Sequence, residues 1–217
     1  MAKSSFASQI IVNYKKIITV LQKRGLIRHY NELSEKINSR QKHLEYCTRN
    51  EKSNCLFDSS LSAVELYDRL IENNQYNIEF SDGSIFLFMC TIEGKSIIKQ
   101  RIVYIKLFSQ LLENFEQNNT WEEYQMDDGV GNIMSFPVLI RIDYDIKEKK
   151  IDHPISHVTL SNIENFRLPA KGNIGFDRFI ELVLHQIYNL YDIVIPKIDT
   201  DITIKQSEKE QIHINWI

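Results

Sequence analysis

The hydrophobic pattern changes its period about a third of the way along the chain, and this change limits the fold classes open to it. In the first part, apolar residues recur at three- and four-residue steps, which is typical of amphipathic helices. The pattern predicts a helix over 6–24 that Gly25 ends, and a second helix over 61–71 that Ser60 or Ser62 caps. After that point, apolar residues alternate or form short blocks between turn residues, which favours strands.

The strand-forming part carries two strong turn signals. One is the segment 81–84, which contains Asp-Gly, and the other is the segment 93–95, which contains Gly94. These turns predict strands over 76–80, 85–92 and 97–108, each antiparallel to the one before it.

Two further segments complete the predicted fold. Residues 31–46 are predicted to be helical, so 1–75 forms an N-terminal helical part that belongs to one compact unit with 76–217. The fold class is therefore α+β, with N-terminal helices, a central antiparallel meander and a long amphipathic helix over 174–191 packed on the sheet. The predicted buried face of that helix is Phe176, Phe179, Ile180, Val183, Leu184, Ile187 and Tyr191.

Composition excludes several classes of function. The net charge of −3 rules out a strong global basic field for nucleic acid, although a local basic patch remains open. Cys47, Cys55 and Cys90 are odd in number and form no C-x-x-C pair, so no disulfide framework or zinc knuckle is predicted. No run of 18 apolar residues occurs. We therefore expect a cytoplasmic protein without a membrane partner and without a bound cofactor.

Polar residues with chemical potential gather on a predicted hairpin of two strands, 136–145 and 152–160. They are Arg141, Asp143, Asp145, His153 and His157. Because side chains two apart share a face of a strand, the pairing register decides which residues meet. If the numbers of two paired residues add up to an even number, the acids and the imidazoles lie on one surface. If the sum is odd, they lie on opposite surfaces. Together they could hold a divalent metal or perform acid–base catalysis. The alternative is a polar sheet face with ordinary hydrogen bonds and ion pairs, which the spacing alone favours.

Basic residues suggest a phosphate or ligand site next to this hairpin. They are Lys99 and Arg101 on one strand, Arg141 on the hairpin, and Arg167 and Lys171 in the loop before the last helix. Arginine next to a proline-stiffened loop is well suited to bind a phosphate or a carboxylate. The alternative for all five is a solvated charged surface.

One apparent nuclease pattern is rejected. Asp82 followed by Glu93-Gly94-Lys95 has the spacing of some metal-dependent nucleases, whose acids converge on one magnesium ion. The residues between them form one predicted strand, which at ~3.3 Å per residue separates the acids by roughly 30 Å.

Several motifs, in order along the chain, resemble an uncharacterised bacterial family, the domain-of-unknown-function family 2290. They are Asp82-Gly83-Ser84-Ile85, Arg141-Ile142-Asp143-Tyr144-Asp145, His153-Pro154-Ile155-Ser156-His157-Val158-Thr159-Leu160, Arg167-Leu168-Pro169, Phe179-Ile180 and Tyr188. Phe166 stands where that family is expected to have a cysteine, so no catalytic cysteine is implied. The resemblance joins the hairpin, Arg167 and the last helix into one unit. It also implies a role in antiphage defence or in a mobile element, without implying a reaction.

Two functions follow from these patterns. The preferred one is an accessory subunit that binds a larger protein, or nucleic acid, or a nucleotide signal, with homo-oligomers left open. Tyr124 and Trp216 lie in polar surroundings and are candidates for the protein-binding surface. The alternative is a metal-dependent nuclease or phosphodiesterase, in which Asp143, Asp145, His153 and His157 are catalytic.

Overall fold

The computed structural model describes residues 5–38, 41–46, 61–107, 138–147, 154–160, 167–170, 172–198 and 202–203. They form an α+β fold in which three helices accompany a large antiparallel sheet, as the change of period predicts. The helices are α1 (Phe6–Lys23), α2 (Ala63–Glu72) and α3 (Phe176–Gln186). Among these described parts of the chain, no helix is both long enough and apolar enough to cross a membrane.

Within the described residues, the sheet has nine strands and is antiparallel throughout. The described strands are β1 (Ile27–Tyr30), β2 (Leu33–Asn38), β3 (Gln41–Tyr46), β4 (Ile78–Phe80), β5 (Ile85–Glu93), β6 (Ser96–Lys106), β7 (Val138–Asp145), β8 (Ser156–Leu160), β9 (Leu168–Pro169), β10 (Gly172–Asn173) and β11 (Ile202–Thr203). The order is β1-β4-β5-β6-β7-β8-β9, and β2 and β3 join it through β5, while β10 and β11 form a separate pair. From β4 to β9, each strand pairs with the next one along the chain, which is the predicted meander.

Local sequence explains where the helices begin and end. The Ser5 side chain accepts a hydrogen bond from Ser8 N–H at the start of α1. Gly25 ends this helix with φ +66°, a left-handed conformation that glycine adopts without strain. At α2, Ser62 and Glu65 form a reciprocal capping box. Of the two predicted caps for this helix, Ser62 is therefore the correct one.

The core consists of two clusters on opposite faces of the sheet. On the first face, α1 and α3 pack against the central strands, and the rings of Phe176 and Phe179 contact Phe88 and Phe86. On the second face, α2 covers one end, where Leu66 and other apolar side chains pack on the sheet. At this end, the sheet is thus covered by helices on both faces, at the start of β5 and β7 and at the end of β6. The remaining part of the second face carries polar residues.

Two sequence predictions are wrong. Residues 31–46 are not helical, because Leu33–Asn38 and Gln41–Tyr46 are strands of one hairpin that adds to the sheet. The last helix is shorter than the predicted 174–191, since it covers Phe176–Gln186, and the side chain of Tyr191 is 62 % exposed instead of buried. Burial of the other predicted face residues is confirmed for Phe176, Phe179, Ile180, Val183 and Leu184, while Ile187 is only partly buried.

Other predictions are confirmed within the described part of the chain. The turns at Gly83 and Gly94 exist, and both glycines have positive φ. Asp82 precedes β5 and Glu93 ends it, so these two acids lie at opposite ends of one strand and do not converge. The predictions for 47–60 and 108–135, including Cys47, Cys55 and Tyr124, and for Trp216 lie outside the described residues.

The segment 191–198, which follows α3, forms hydrogen bonds with both helices of the first face. Residues 191–198 contain the buried side chains of Ile193 and Ile195. Asn13 Nδ2 of α1 donates to the Pro196 carbonyl at 3.1 Å, and Ile198 N–H donates to the Asp177 carboxylate of α3 at 2.8 Å. The segment therefore holds α1 and α3 together over the sheet.

The end of α3 is also fixed to the sheet by a polar network. The Tyr188 hydroxyl donates to Asp82 Oδ1 at 3.0 Å and lies 2.5 Å from the Ser84 hydroxyl. Tyr104 donates to the same hydroxyl at 3.1 Å, and Lys106 pairs with Asp82 at 3.1 Å. Burial raises the pKa of the Tyr188 hydroxyl, which therefore stays protonated, and we interpret the network as structural.

Candidate functional site

The register of the β7–β8 hairpin brings its polar residues onto one face. Asp143 pairs with His157, and Arg141 pairs with Thr159. The paired residue numbers add up to an even number, which is the register that puts the acids and His157 on one surface. The adjacent register of β6 and β7 places Arg101 beside Asp143 and Lys99 beside Asp145. The polar residues of three strands therefore lie side by side on the second face, next to the part that α2 covers.

Asp143 is the centre of this arrangement. Its Oδ1 accepts a hydrogen bond from Arg101 Nε at 2.5 Å, and its Oδ2 lies 2.8 Å from Arg141 Nε. Burial opposes ionisation of the carboxyl, but the two guanidinium charges outweigh burial and hold the pKa of Asp143 below its ordinary value. Asp143 is thus an ionised carboxylate held between two arginines.

Asp145 has a separate cationic partner. Lys99 Nζ lies 2.9 Å from its Oδ2, and Lys147 N–H donates to its Oδ1 at 3.0 Å. The side chain of Lys99 is 57 % exposed, so this pair faces water. The two acids predicted to act together are therefore occupied by different basic groups.

His157 lies beside Asp143 and is almost fully buried. Its Nε2 is 3.6 Å from Asp143 Oδ2, and its Nδ1 is 3.3 Å from the Pro154 carbonyl oxygen. The side chain is 3 % exposed. The imidazole is held from both sides, which positions it at the margin of the site.

A pocket of about 330 Å³ opens on this face of the sheet. Its volume is within the range of small-molecule sites. The residues that line it include Lys99, Arg101, Arg141 and Arg167 together with Asp143, Asp145 and His157. Seven of the nine residues predicted to form a catalytic or phosphate-binding site therefore line one cavity, and the other two, His153 and Lys171, lie outside the described residues.

The three arginines of the pocket are close enough to influence one another. Burial lowers the pKa of Arg141, Asp143 opposes this effect, and the positive charges of Arg101 and Arg167 lower the pKa further. Arginine nevertheless remains protonated at neutral pH. Arg101 and Arg141 thus share one carboxylate, Asp143, and Arg167 lies near enough to lower the pKa of Arg141, so three guanidinium groups are concentrated in this part of the pocket.

Sequence reasoning missed one wall of the pocket. His43 and Glu45 of β3, and Met89 and Thr91 of β5, line the side opposite Arg167 in the order of the strands. The His43 ring bonds to the Thr91 hydroxyl at 3.0 Å, and Glu45 pairs with Lys36 of β2. The signal that could have found this wall is the two-residue spacing of His43 and Glu45, which puts both on one face of a strand.

The donor set of the described residues does not favour a metal. No group of three or more histidine, cysteine, aspartate or glutamate side chains in the described ranges has the geometry to hold an ion. Asp143 and Asp145 each bind cationic side chains, which compete with a metal for their oxygens. The predicted metal-dependent activity depends on His153 as well, and it stays a prediction.

One comparison with known proteins identifies the family. The family model described as "Uncharacterized conserved protein (DUF2290)" matches residues 26–216. The match covers nearly the whole chain, and the chain belongs to this family. Searches of curated proteins and of solved structures found no match.

Proposed function

We propose that this member of the DUF2290 family is a binding protein, without catalytic activity, that takes a phosphate group of its ligand into the arginine-lined pocket. One observation carries the proposal, namely that Arg101, Arg141 and Arg167 line one cavity, in which Arg101 and Arg141 share Asp143. A phosphate dianion is attracted by these positive charges, and the flat guanidinium groups offer paired donors to its oxygens. The phosphate belongs to a nucleotide or to the end of a nucleic acid.

The surroundings of the arginines support binding more than turnover. Asp143 is fixed by two arginines, and its pKa is held below the ordinary value, so it is a weak base near neutral pH. His157, the acid–base group that lies beside Asp143, has only 3 % of its side chain exposed. A site with rigid, ionised partners binds anions well and transfers protons poorly.

The proposal includes the predicted accessory role. In this role, the protein delivers its ligand to a larger protein subunit of a defence or mobile-element system, or it contacts that subunit in the conformation that the ligand stabilises. Size-exclusion chromatography and pull-downs with the purified full chain test this part. A lone monomer that recovers neither protein nor nucleic acid contradicts it.

Calorimetric titration tests ligand binding. We expect pyrophosphate to bind the full chain in the millimolar range or tighter, and Arg167→Gln to weaken it about tenfold or more, since a charge-assisted hydrogen bond contributes about 1.5–3 kcal/mol. Arg28→Gln is the matched control, because Arg28 is an exposed arginine that pairs with Glu79 and does not line the pocket. Equal affinity of both variants, or no binding by the unaltered chain, overturns the proposal.

A second candidate is the predicted nuclease or phosphodiesterase, which the 3.6 Å approach of His157 to Asp143 favours. In this alternative His157 acts as general acid or base and the arginines stabilise phosphate charge. Hydrolysis of a phosphodiester with added Mg²⁺ or Mn²⁺, lost in the His153→Ala and His157→Ala double variant, supports it. Activity that the double variant retains excludes it.

A further inference from the structure

The pocket has two unlike halves, and their difference restricts the ligand. One half holds Arg101 of β6, Arg141 and Asp143 of β7, and Arg167, which directly precedes β9. The half on β3 and β5 holds His43, Glu45, Met89 and Thr91. Adjacent strands lie about 4.8 Å apart, so the second half extends roughly 10 Å from Arg101 across the sheet.

The second half carries a carboxylate in place of arginines and suits a flat group without negative charge. Met89 lies opposite Arg101 in the strand register and presents a polarisable thioether, which packs well against aromatic rings. The His43 ring, oriented by its bond to Thr91, adds a second surface on which a ring can stack. The Glu45 carboxylate disfavours a further phosphate here and favours N–H donors.

The geometry points to a nucleotide with an amino-bearing base as the ligand of this pocket. Its phosphate binds Arg101, Arg141 and Arg167, its base lies against Met89 and His43, and the amino group of the base donates to the Glu45 carboxylate. This inference rests on the proposed function, and it adds the class of ligand. Polyphosphates longer than pyrophosphate and inositol polyphosphates are disfavoured because they would place negative charge beside Glu45.

The two acids Asp143 and Glu45 have different roles in the pocket. Asp143 is in contact with Arg101 and Arg141, while Glu45 pairs with Lys36 and has a side chain that is 29 % exposed. Glu45 can therefore exchange contact with Lys36 for contact with a base at little cost, because an exposed ion pair contributes little free energy. The acid that fixes the arginines and the acid that recognises the base are thus different residues.

Calorimetric titration of the full chain with AMP, GMP, CMP, UMP and pyrophosphate tests the inference. CMP and UMP are matched ligands, since the amino group of cytosine replaces a carbonyl oxygen of uracil. We expect at least one of AMP, GMP and CMP to bind about tenfold tighter than both UMP and pyrophosphate, because one charge-assisted hydrogen bond contributes that much.

Two variants connect this preference to the proposed residues. Glu45→Gln is expected to reduce the preference over UMP to less than about threefold while it leaves the affinity for pyrophosphate unchanged. Glu35→Gln is the control, since Glu35 pairs with Lys42 and does not line the pocket. Met89→Ala is expected to weaken all four nucleotides but not pyrophosphate.

The outcomes separate the inference from the function on which it rests. If nucleotides and pyrophosphate bind equally and Glu45→Gln changes nothing, the base site is wrong while the phosphate site stands. If the unaltered chain binds none of the five ligands, the proposed function is wrong as well. A preference for UMP, or one that survives Glu45→Gln, also overturns the inference.

Discussion

At the scale of single residues, the site depends on one carboxylate that two arginines share. Asp143 is 13 % exposed, and its removal would take away the carboxylate that lies between the positive charges of Arg101 and Arg141. Like charges that are close and shielded from water repel strongly, because the effective dielectric constant is low there. Asp143 therefore stabilises the folded state whether or not the pocket catalyses a reaction.

Asp143→Asn is expected to lower the free energy of unfolding by about 3 kcal/mol at pH 7, because it leaves a largely buried charge pair without its acid. The pKa of Asp143 in the folded state is lower than its ordinary value of 3.8, so the stabilisation is fully present above that value. It disappears as the pH falls through the folded pKa, where the natural carboxyl is protonated as well. Urea unfolding between about pH 2.5 and 7 measures the difference.

Asp145→Asn is the control for this prediction. Its partner Lys99 is 57 % exposed, and an exposed ion pair contributes about 0–1 kcal/mol. The two variants therefore differ clearly at pH 7 and converge in acid. A loss in Asp143→Asn that is as small as in Asp145→Asn, or that does not change with pH, contradicts the role assigned to Asp143.

At the scale of helices and strands, the segment 191–198 is an element without regular secondary structure. Ile193 and Ile195 point into the core between residues that are largely exposed, such as Val194 at 83 %. Its backbone is fixed by Asn13 and Asp177, which belong to different helices. It completes the cover of the first sheet face, and thereby stabilises the strands that carry the pocket on the other face.

Ile195→Ala is expected to lower the free energy of unfolding by about 2–4 kcal/mol, as is usual when a buried aliphatic side chain is truncated. Val194→Ala, one position earlier, is expected to change it by less than about 0.5 kcal/mol because that side chain faces water. Urea unfolding of both variants measures the effect. Similar values for the two variants would mean that the segment is not packed as described.

The elements differ in how far sequence could predict them. Meander strands β4 to β6 are predictable because glycine turns with positive φ separate blocks of apolar residues that are long enough for strands. The hairpin of β2 and β3 is not, since its charged residues have acceptable helix propensity and its strand form depends on pairing with β5. The helix over 174–191 is overestimated because Ile187 and Tyr191 continue the helical spacing of apolar residues, whereas the helix ends at Gln186 and Asn189 adopts a positive φ of 56°.

The candidate site, too, was only partly predictable from the sequence. The residue types and their two-residue spacing identify Arg141, Asp143 and His157 as a group, but the face on which they meet depends on strand register. Register is a property of two paired strands, and here Asp143 faces His157. Contacts between strands that are distant in sequence, such as His43 with Thr91, require the tertiary structure.

At the scale of the whole molecule, the two faces of the sheet differ in that one packs the larger hydrophobic cluster and the other carries the charged pocket. The first face is covered by α1, α3 and the segment 191–198, which bury the larger hydrophobic cluster. On the second face, α2 covers one end only, and the charged pocket lies beyond it. The polar residues are tolerated on a central sheet because each carboxylate has a basic partner and the strands beneath are fixed from the opposite side.

Ligand binding should therefore stabilise the entire fold and not one segment of it. The pocket is lined by residues from β3, β5, β6, β7, β8 and the Arg167 loop, which are far apart in sequence and part of one sheet. Pyrophosphate at about 100 times its Kd is expected to add about 2.7 kcal/mol to the free energy of unfolding. For a chain of this size, that corresponds to a rise in Tm of about 5–10 °C.

Differential scanning calorimetry and amide hydrogen exchange measure this effect together. We expect one unfolding transition that shifts upward, and slower exchange in α1 and α3 on the opposite face as well as in β6 to β8, because slow exchange in a cooperative unit requires that the unit unfolds. Sodium chloride at matched ionic strength is the control for general salt effects, and Arg167→Gln is the control for the site. Protection confined to the strands that line the pocket, or an equal shift with sodium chloride, would show that the two faces of the sheet are not coupled through the ligand.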